Sequence, residues 1–124
     1  MNLMLLAAGV LSIIVGLIHS VLGELLIFKN LREHSIIPTV AMPPLRERNI
    51  RILWATWHAT TVFGWVIGAI LINMAYTTQV ASVVVIQLIA ISMFAASALV
   101  FLSTKAKHPG WVGLLVIAIL CWLS

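Results

Sequence analysis

LMLLAAGVLSIIVGLIHSVLGELLIF, residues 3–28, decides the fold. Its only ionisable side chains are His19 and Glu24, and the rest is apolar or small. At ~1.5 Å per residue such a stretch crosses a ~30 Å hydrocarbon core as a single helix. A cleaved leader would carry its positive charge ahead of a shorter apolar run. Here Lys29 and Arg32 follow the run, so it reads as a retained helix.

Working outward, the same reading repeats three times. Apolar blocks run from about Ile50 to Met74, Val80 to Leu102 and Pro109 to Ser124, and the first three blocks of the chain are long enough to span. The fourth reaches only ~24 Å at ~1.5 Å per residue. A chain of 124 residues that is 63% hydrophobic and 8% charged cannot cover a water-soluble globule with polar surface. The expectation is an all-α integral membrane four-helix bundle, one transmembrane domain over residues 1–124. Its helices are expected at about 3–28, 45–74, 80–102 and 109–124.

Charge sets the orientation. All seven basic residues fall in the two connections that four spans place on one side: Lys29, Arg32, Arg46, Arg48 and Arg51 in the first, Lys105 and Lys107 in the third. The positive-inside bias therefore predicts cytoplasmic connections, with both termini on the non-cytoplasmic side of an inner membrane. The basic balance follows from topology and calls for no nucleic-acid partner. Anionic lipid headgroups are the expected partners of these side chains. The single cysteine, Cys121, allows no disulfide within the chain.

The first connection, about 30–44, contains the apolar run Ile36 to Met42, which can lie in the interface. Pro43 and Pro44 forbid helix just before residue 45, and the helix start is expected immediately after them. The second connection, around Ala75 to Gln79, is short and uncharged, so the second and third helices form a hairpin.

The chemistry lies in two helical seams. On the first helix Gly9, Ser12, Gly16, His19 and Gly23 recur at spacings of three and four, giving one face of small residues interrupted by an imidazole. On the second, Arg51, Trp54, His58, Thr61, Trp65 and Gly68 share the same spacing but are large, aromatic or polar. Antiparallel alignment places His58 near the level of Leu22, about one turn from His19 and close to Glu24. An ionisable group in the bilayer normally faces the bundle interior and has a partner. Glu24 either joins the two histidines or forms an ion pair with Arg51 or Arg48. The histidines either bind a ligand or act as hydrogen-bonding glue to Ser20, Thr61 or a carbonyl. Gly64 and Gly68 form a small-xxx-small pair for a close crossing or a homodimer.

Three functions compete. In the first, His19 and His58 are axial ligands to haem b, with Gly16 and Gly23 clearing space, Trp54 as a wall and Arg51 holding propionates. Matched depth and the cleared glycine face put haem or a metal first. In the second, His19, His58 and Glu24 handle a divalent metal or a proton for transport, which in so short a chain requires oligomerisation. In the third, the chain is an accessory subunit of a larger membrane complex and the polar seam only fixes register. No serine-hydrolase order, metalloprotease helix motif or paired intramembrane carboxylates point to catalysis.

His19 followed by Gly23-Glu24, with Arg51 preceding Trp57-His58, resembles a pattern in small bacterial four-span integral membrane proteins of unknown function. The resemblance covers the first half of the chain. It implies a four-span bacterial membrane protein and assigns no activity.

Overall fold

Proline is confined to positions 38, 43, 44 and 109, so nothing inside the apolar blocks interrupts a helical hydrogen-bond ladder. In a computed structural model these blocks form α1 (Leu3–Leu26), α2 (Glu47–Tyr76), α3 (Val83–Ser103) and α4 (Gly110–Trp122). The structure describes residues 1–77, 83–103, 106 and 109–124, and only the backbone at 99, 102 and 103. Among the described residues the fold is all-α, with four α-helices and no strand. Val80, the expected start of the third helix, lies outside the described residues, as do Gln79, Lys105, Lys107 and His108.

α1 and α2 are long and apolar enough to cross a membrane. α3 contributes the apolar helix Val83–Ala98 over its described side chains, and α4 contributes Gly110–Trp122; both are shorter. Among the described residues, two helices are therefore long and apolar enough to cross a membrane.

The ends of α1 and α2 differ from expectation for local reasons. α1 stops at Leu26, and the chain tightens into a 3-10 turn, Phe28–Leu31, that buries both Phe28 and Leu31. α2 starts at Glu47 because Leu45 is already committed to a turn. Its N–H donates to the Met42 carbonyl at 2.7 Å and its carbonyl accepts from Met42 N–H at 3.1 Å. Asn49 Oδ1 then accepts from the Arg46 N–H at 3.1 Å, one half of a capping box.

The chain divides into two compact units, residues 16–63 and residues 1–15 with 64–124. In the larger unit Asn2 caps α1, its Oδ1 accepting from the Met4 N–H at 3.0 Å and the Leu5 N–H at 3.2 Å. Leu5, Ala8, Leu71, Ala75, Ile117 and Cys121 are buried in one cluster with residues of α3. Backbones touch where a Cβ on Gly9 would lie 2.7 Å from the Gly68 carbonyl oxygen. Gly64 is different: a Cβ there meets nothing within 4 Å, and its carbonyl accepts from Ser12 Oγ at 2.8 Å. The two glycines of the small-xxx-small pair thus do separate work. Asn2→Ala is expected to cost about 1 kcal/mol, the usual worth of such a cap, measured by denaturant unfolding in mixed micelles.

The smaller unit contains the end of α1, the 3-10 turn, the connection and the start of α2. Phe28, Leu31 and Ile50 form its core, with Trp54 and Trp57 packed against them. The Leu31 carbonyl accepts from the N–H groups of Thr39 and Val40, both at 3.0 Å, which folds the connection back on itself.

Candidate functional site

In residues 16–63, Ser20 and Glu24 converge on His58. One helical turn of α1 separates Ser20 from Glu24, and both reach the same imidazole of α2. His58 Nδ1 lies 2.7 Å from Ser20 Oγ, and Nε2 lies 2.8 Å from Glu24 Oε1. The ring thus sits between the residues two positions either side of Leu22. Beyond Ser20 the chain of bonds continues: Ser20 Oγ donates to Thr61 Oγ1 at 2.8 Å, and the buried Thr61 hydroxyl donates to the Gly16 carbonyl at 3.2 Å.

Glu24 is surrounded by donors. Oε1 accepts from Arg32 Nη2 at 2.8 Å and from the Trp54 indole N–H at 2.7 Å, and Oε2 faces Arg32 Nη1 at 2.5 Å. Its ion-pair partner is therefore Arg32, not Arg51 or Arg48. The cause is the 3-10 turn at Phe28–Leu31, which ends the helix and turns Arg32 back towards the last turns of α1. Arg51 instead pairs with Glu47 at 3.1 Å, four residues earlier on α2, where both side chains are about half exposed. Such a pair contributes little.

His19 belongs to a different contact. Its ring stacks on Trp57, centroids 4.4 Å apart and planes within 7°. The Trp57 indole N–H donates to the His19 carbonyl at 3.0 Å. The same indole fills the space over Gly23, where a Cβ would collide with it. Phe28 meets Trp57 edge-on at 5.8 Å, and Trp54 meets His58 edge-on at 5.1 Å. The small face of α1 therefore receives tryptophan.

Comparison with known proteins finds no matching family model, no similar curated protein and no similar solved structure. Function rests on the geometry alone.

The arrangement gives no support to haem b held between His19 and His58. Axial ligation needs an imidazole nitrogen free to face the iron. Both His58 nitrogens are engaged by side chains, and the ring face of His19 and the notch at Gly23 are taken by Trp57. Gly16 serves through its carbonyl, Trp54 through its N–H to Glu24, and Arg51 is committed to Glu47. For a metal ion, no group of three or more His, Cys, Asp or Glu side chains converges among the described residues. Glu24 and His58 meet, while His19 is stacked on Trp57.

What the arrangement can do follows from counting protons. A hydroxyl has one proton to give, a neutral imidazole one, and a carboxylate none. With Thr61 donating to Gly16 and Ser20 donating to Thr61, Ser20 can only accept from His58, so Nδ1 carries a proton. Nε2 must carry another to meet the carboxylate, and the ring is then an imidazolium facing Glu24. With both hydroxyls turned the other way, Thr61 donates to Ser20 and Ser20 donates to Nδ1. The ring is then neutral, and Nε2–H still donates to Glu24. The heavy atoms serve both states, which differ by one proton and two hydroxyl rotations. A Ser20–His58–Glu24 series also resembles a hydrolytic triad on paper. Ser20, however, is bonded to Thr61 and does not line the cleft beside His58.

Sequence reasoning found His58, Glu24 and Trp54 and named Ser20 and Thr61 as hydrogen-bonding candidates. It missed Arg32 as the partner of Glu24. The available signal was Lys29 to Arg32 directly after the apolar run, where a turn brings a basic side chain back to the helix end.

Proposed function

We propose that the chain is a small integral membrane protein of the cytoplasmic membrane whose His58–Glu24 pair takes up and releases a proton from the cytoplasmic side. The observation that carries this reading is the double engagement of His58, by Ser20 Oγ at 2.7 Å and Glu24 Oε1 at 2.8 Å, in a network whose heavy-atom positions serve with one proton more or less. Imidazole is the side chain suited to exchanging that proton near neutral pH.

Membrane insertion is supported by surface as well as length. Leu17, Val21, Val62 and Phe63 on α1 and α2 are all exposed, and so much outward apolar surface suits lipid better than water. The basic residues of the connection then face anionic headgroups, with both termini on the opposite side. The bonded chain ends at the Gly16 carbonyl, so passage of a proton across the whole bilayer would need a second copy or a partner subunit.

A second reading has its own support. Arg32 places two guanidinium nitrogens on Glu24, and its Nε donates to the Ile36 carbonyl, which suits a static register device in an accessory subunit.

Nuclear magnetic resonance of ¹⁵N-histidine-labelled protein in lipid nanodiscs separates the two. The expected result is a His58 ring found in both neutral and doubly protonated forms as the pH is varied. A ring fixed in one form throughout would overturn the proton-exchange reading and leave the register device. Orientation is tested separately, with Ser35→Cys in a Cys121→Ser background. An impermeant maleimide is expected to label it in inside-out vesicles and not in intact cells; the reverse pattern would invert the topology.

A further inference from the structure

The His58–Glu24 pair borders an open cleft of about 560 Å³ whose other side comes from the connection, including Glu33, His34 and Ser35. Liquid water takes roughly 30 Å³ per molecule, so the cleft has room for a hydrogen-bonded water chain. Glu33 and His34 are both exposed, so the same two side chains face the bulk and the cleft. We infer that Glu33 and His34 form a proton-collecting group that feeds the His58–Glu24 pair through the water of this cleft. The inference rests on the proposed proton exchange and adds the residues that set its rate.

Charge supports the assignment. The ionisable groups bordering the cleft are Glu24 from α1, Arg32, Glu33 and His34 from the connection, and His58 from α2. Arg32 is spent on Glu24 and on the Ile36 carbonyl, and Arg51 on Glu47 outside the lining. Ser35 Oγ donates to the Ile37 carbonyl. Glu33 and His34 are the remaining acid–base groups of that lining, and both stand at the mouth. A carboxylate beside an imidazole holds protons arriving from solvent or buffer and raises their local concentration. In the transfer, protonated His34 gives a ring N–H proton to the water chain. The neutral His58 ring turns towards the cleft, takes up a proton at Nδ1 and turns back as an imidazolium against the Glu24 carboxylate, while the Ser20 and Thr61 hydroxyls rotate to accept the new N–H. His34 is then reprotonated from bulk water. No electron moves and no other reactant is needed.

The test measures proton exchange at the His58 ring by the same resonance method in nanodiscs at fixed pH, for the wild-type chain and for the Glu33→Gln/His34→Gln double variant. A positioned acid–base group commonly speeds proton transfer by about 100-fold or more, so the double variant is expected to exchange at least about tenfold more slowly. Added free imidazole, a small mobile buffer, is expected to restore the rate, and the limiting His58 shifts are expected to stay unchanged. An unaltered rate in the double variant would overturn the inference while leaving proton exchange intact. Slowing with displaced limiting shifts and no rescue by buffer would also overturn it, as a structural effect. A wild-type His58 that exchanges no proton would remove the proposed function and this inference together.

Discussion

Arg32→Ala is expected to destabilise the protein by about 2–4 kcal/mol, because it strips a partly buried carboxylate of the guanidinium that pairs with both of its oxygens. Glu24 loses the Nη2 bond at 2.8 Å and the Nη1 contact, and the connection loses the bond from Nε to the Ile36 carbonyl. About a quarter of each side chain is exposed, so water partly compensates and the loss falls below that of a fully buried pair. Removing the charge as well, in Glu24→Gln/Arg32→Ala, is expected to recover part of the loss. That recovery is the coupling energy of the pair in a double-mutant cycle. Unfolding by sodium dodecyl sulfate in mixed micelles provides the measurement. A loss of under about 0.5 kcal/mol would place Arg32 among ordinary surface ion pairs.

Gly23→Ala is expected to cost about as much, through shape rather than charge. The new methyl would fall within the Trp57 indole, and that ring is held in place from several directions. Its N–H donates to the His19 carbonyl at 3.0 Å, its face stacks on the His19 ring at 4.4 Å, and Phe28 abuts it at 5.8 Å. Overpacking costs about 1–3 kcal/mol, and losing the indole hydrogen bond adds about 1 kcal/mol. Gly64→Ala is the control of opposite sign. Its Cβ meets nothing within 4 Å, and alanine exceeds glycine in helix propensity by about 1 kcal/mol, so neutrality or a gain is expected. Equal effects at the two glycines would contradict this packing.

The helices were legible in the sequence because composition and proline placement act locally, along one segment at a time. So was part of the complementarity of the two seams: Gly9 against Gly68 and Gly16 against Thr61 are contacts between seam members, whereas Gly23 meets Trp57, which lies outside the second seam. What filled the space was not legible. A histidine flanked by glycines reads equally well as a cofactor cradle or as a berth for tryptophan, and only the direction of the Trp57 side chain distinguishes them. Arg32 was missed for a related reason. Continuing α1 to Phe28 in the mind's eye carries Arg32 away from Glu24, whereas ending it at Leu26 with a 3-10 turn returns the guanidinium to the carboxylate. Two residues of helix length change the ion pair. Likewise the two histidines part company: Glu24 and Ser20 hold the His58 ring, while Trp57 stacks on that of His19.

Every side chain of the His58 network lies between residues 16 and 63. During translation, all of them are synthesised before the first residue of α3. Nascent chains fold in the order in which their parts emerge. The Glu24 carboxylate can therefore find Arg32 and His58 while the hairpin is still young, without waiting as an unpaired charge for the later helices. Biogenesis thus favours carrying the most expensive groups of the protein in its first two helices.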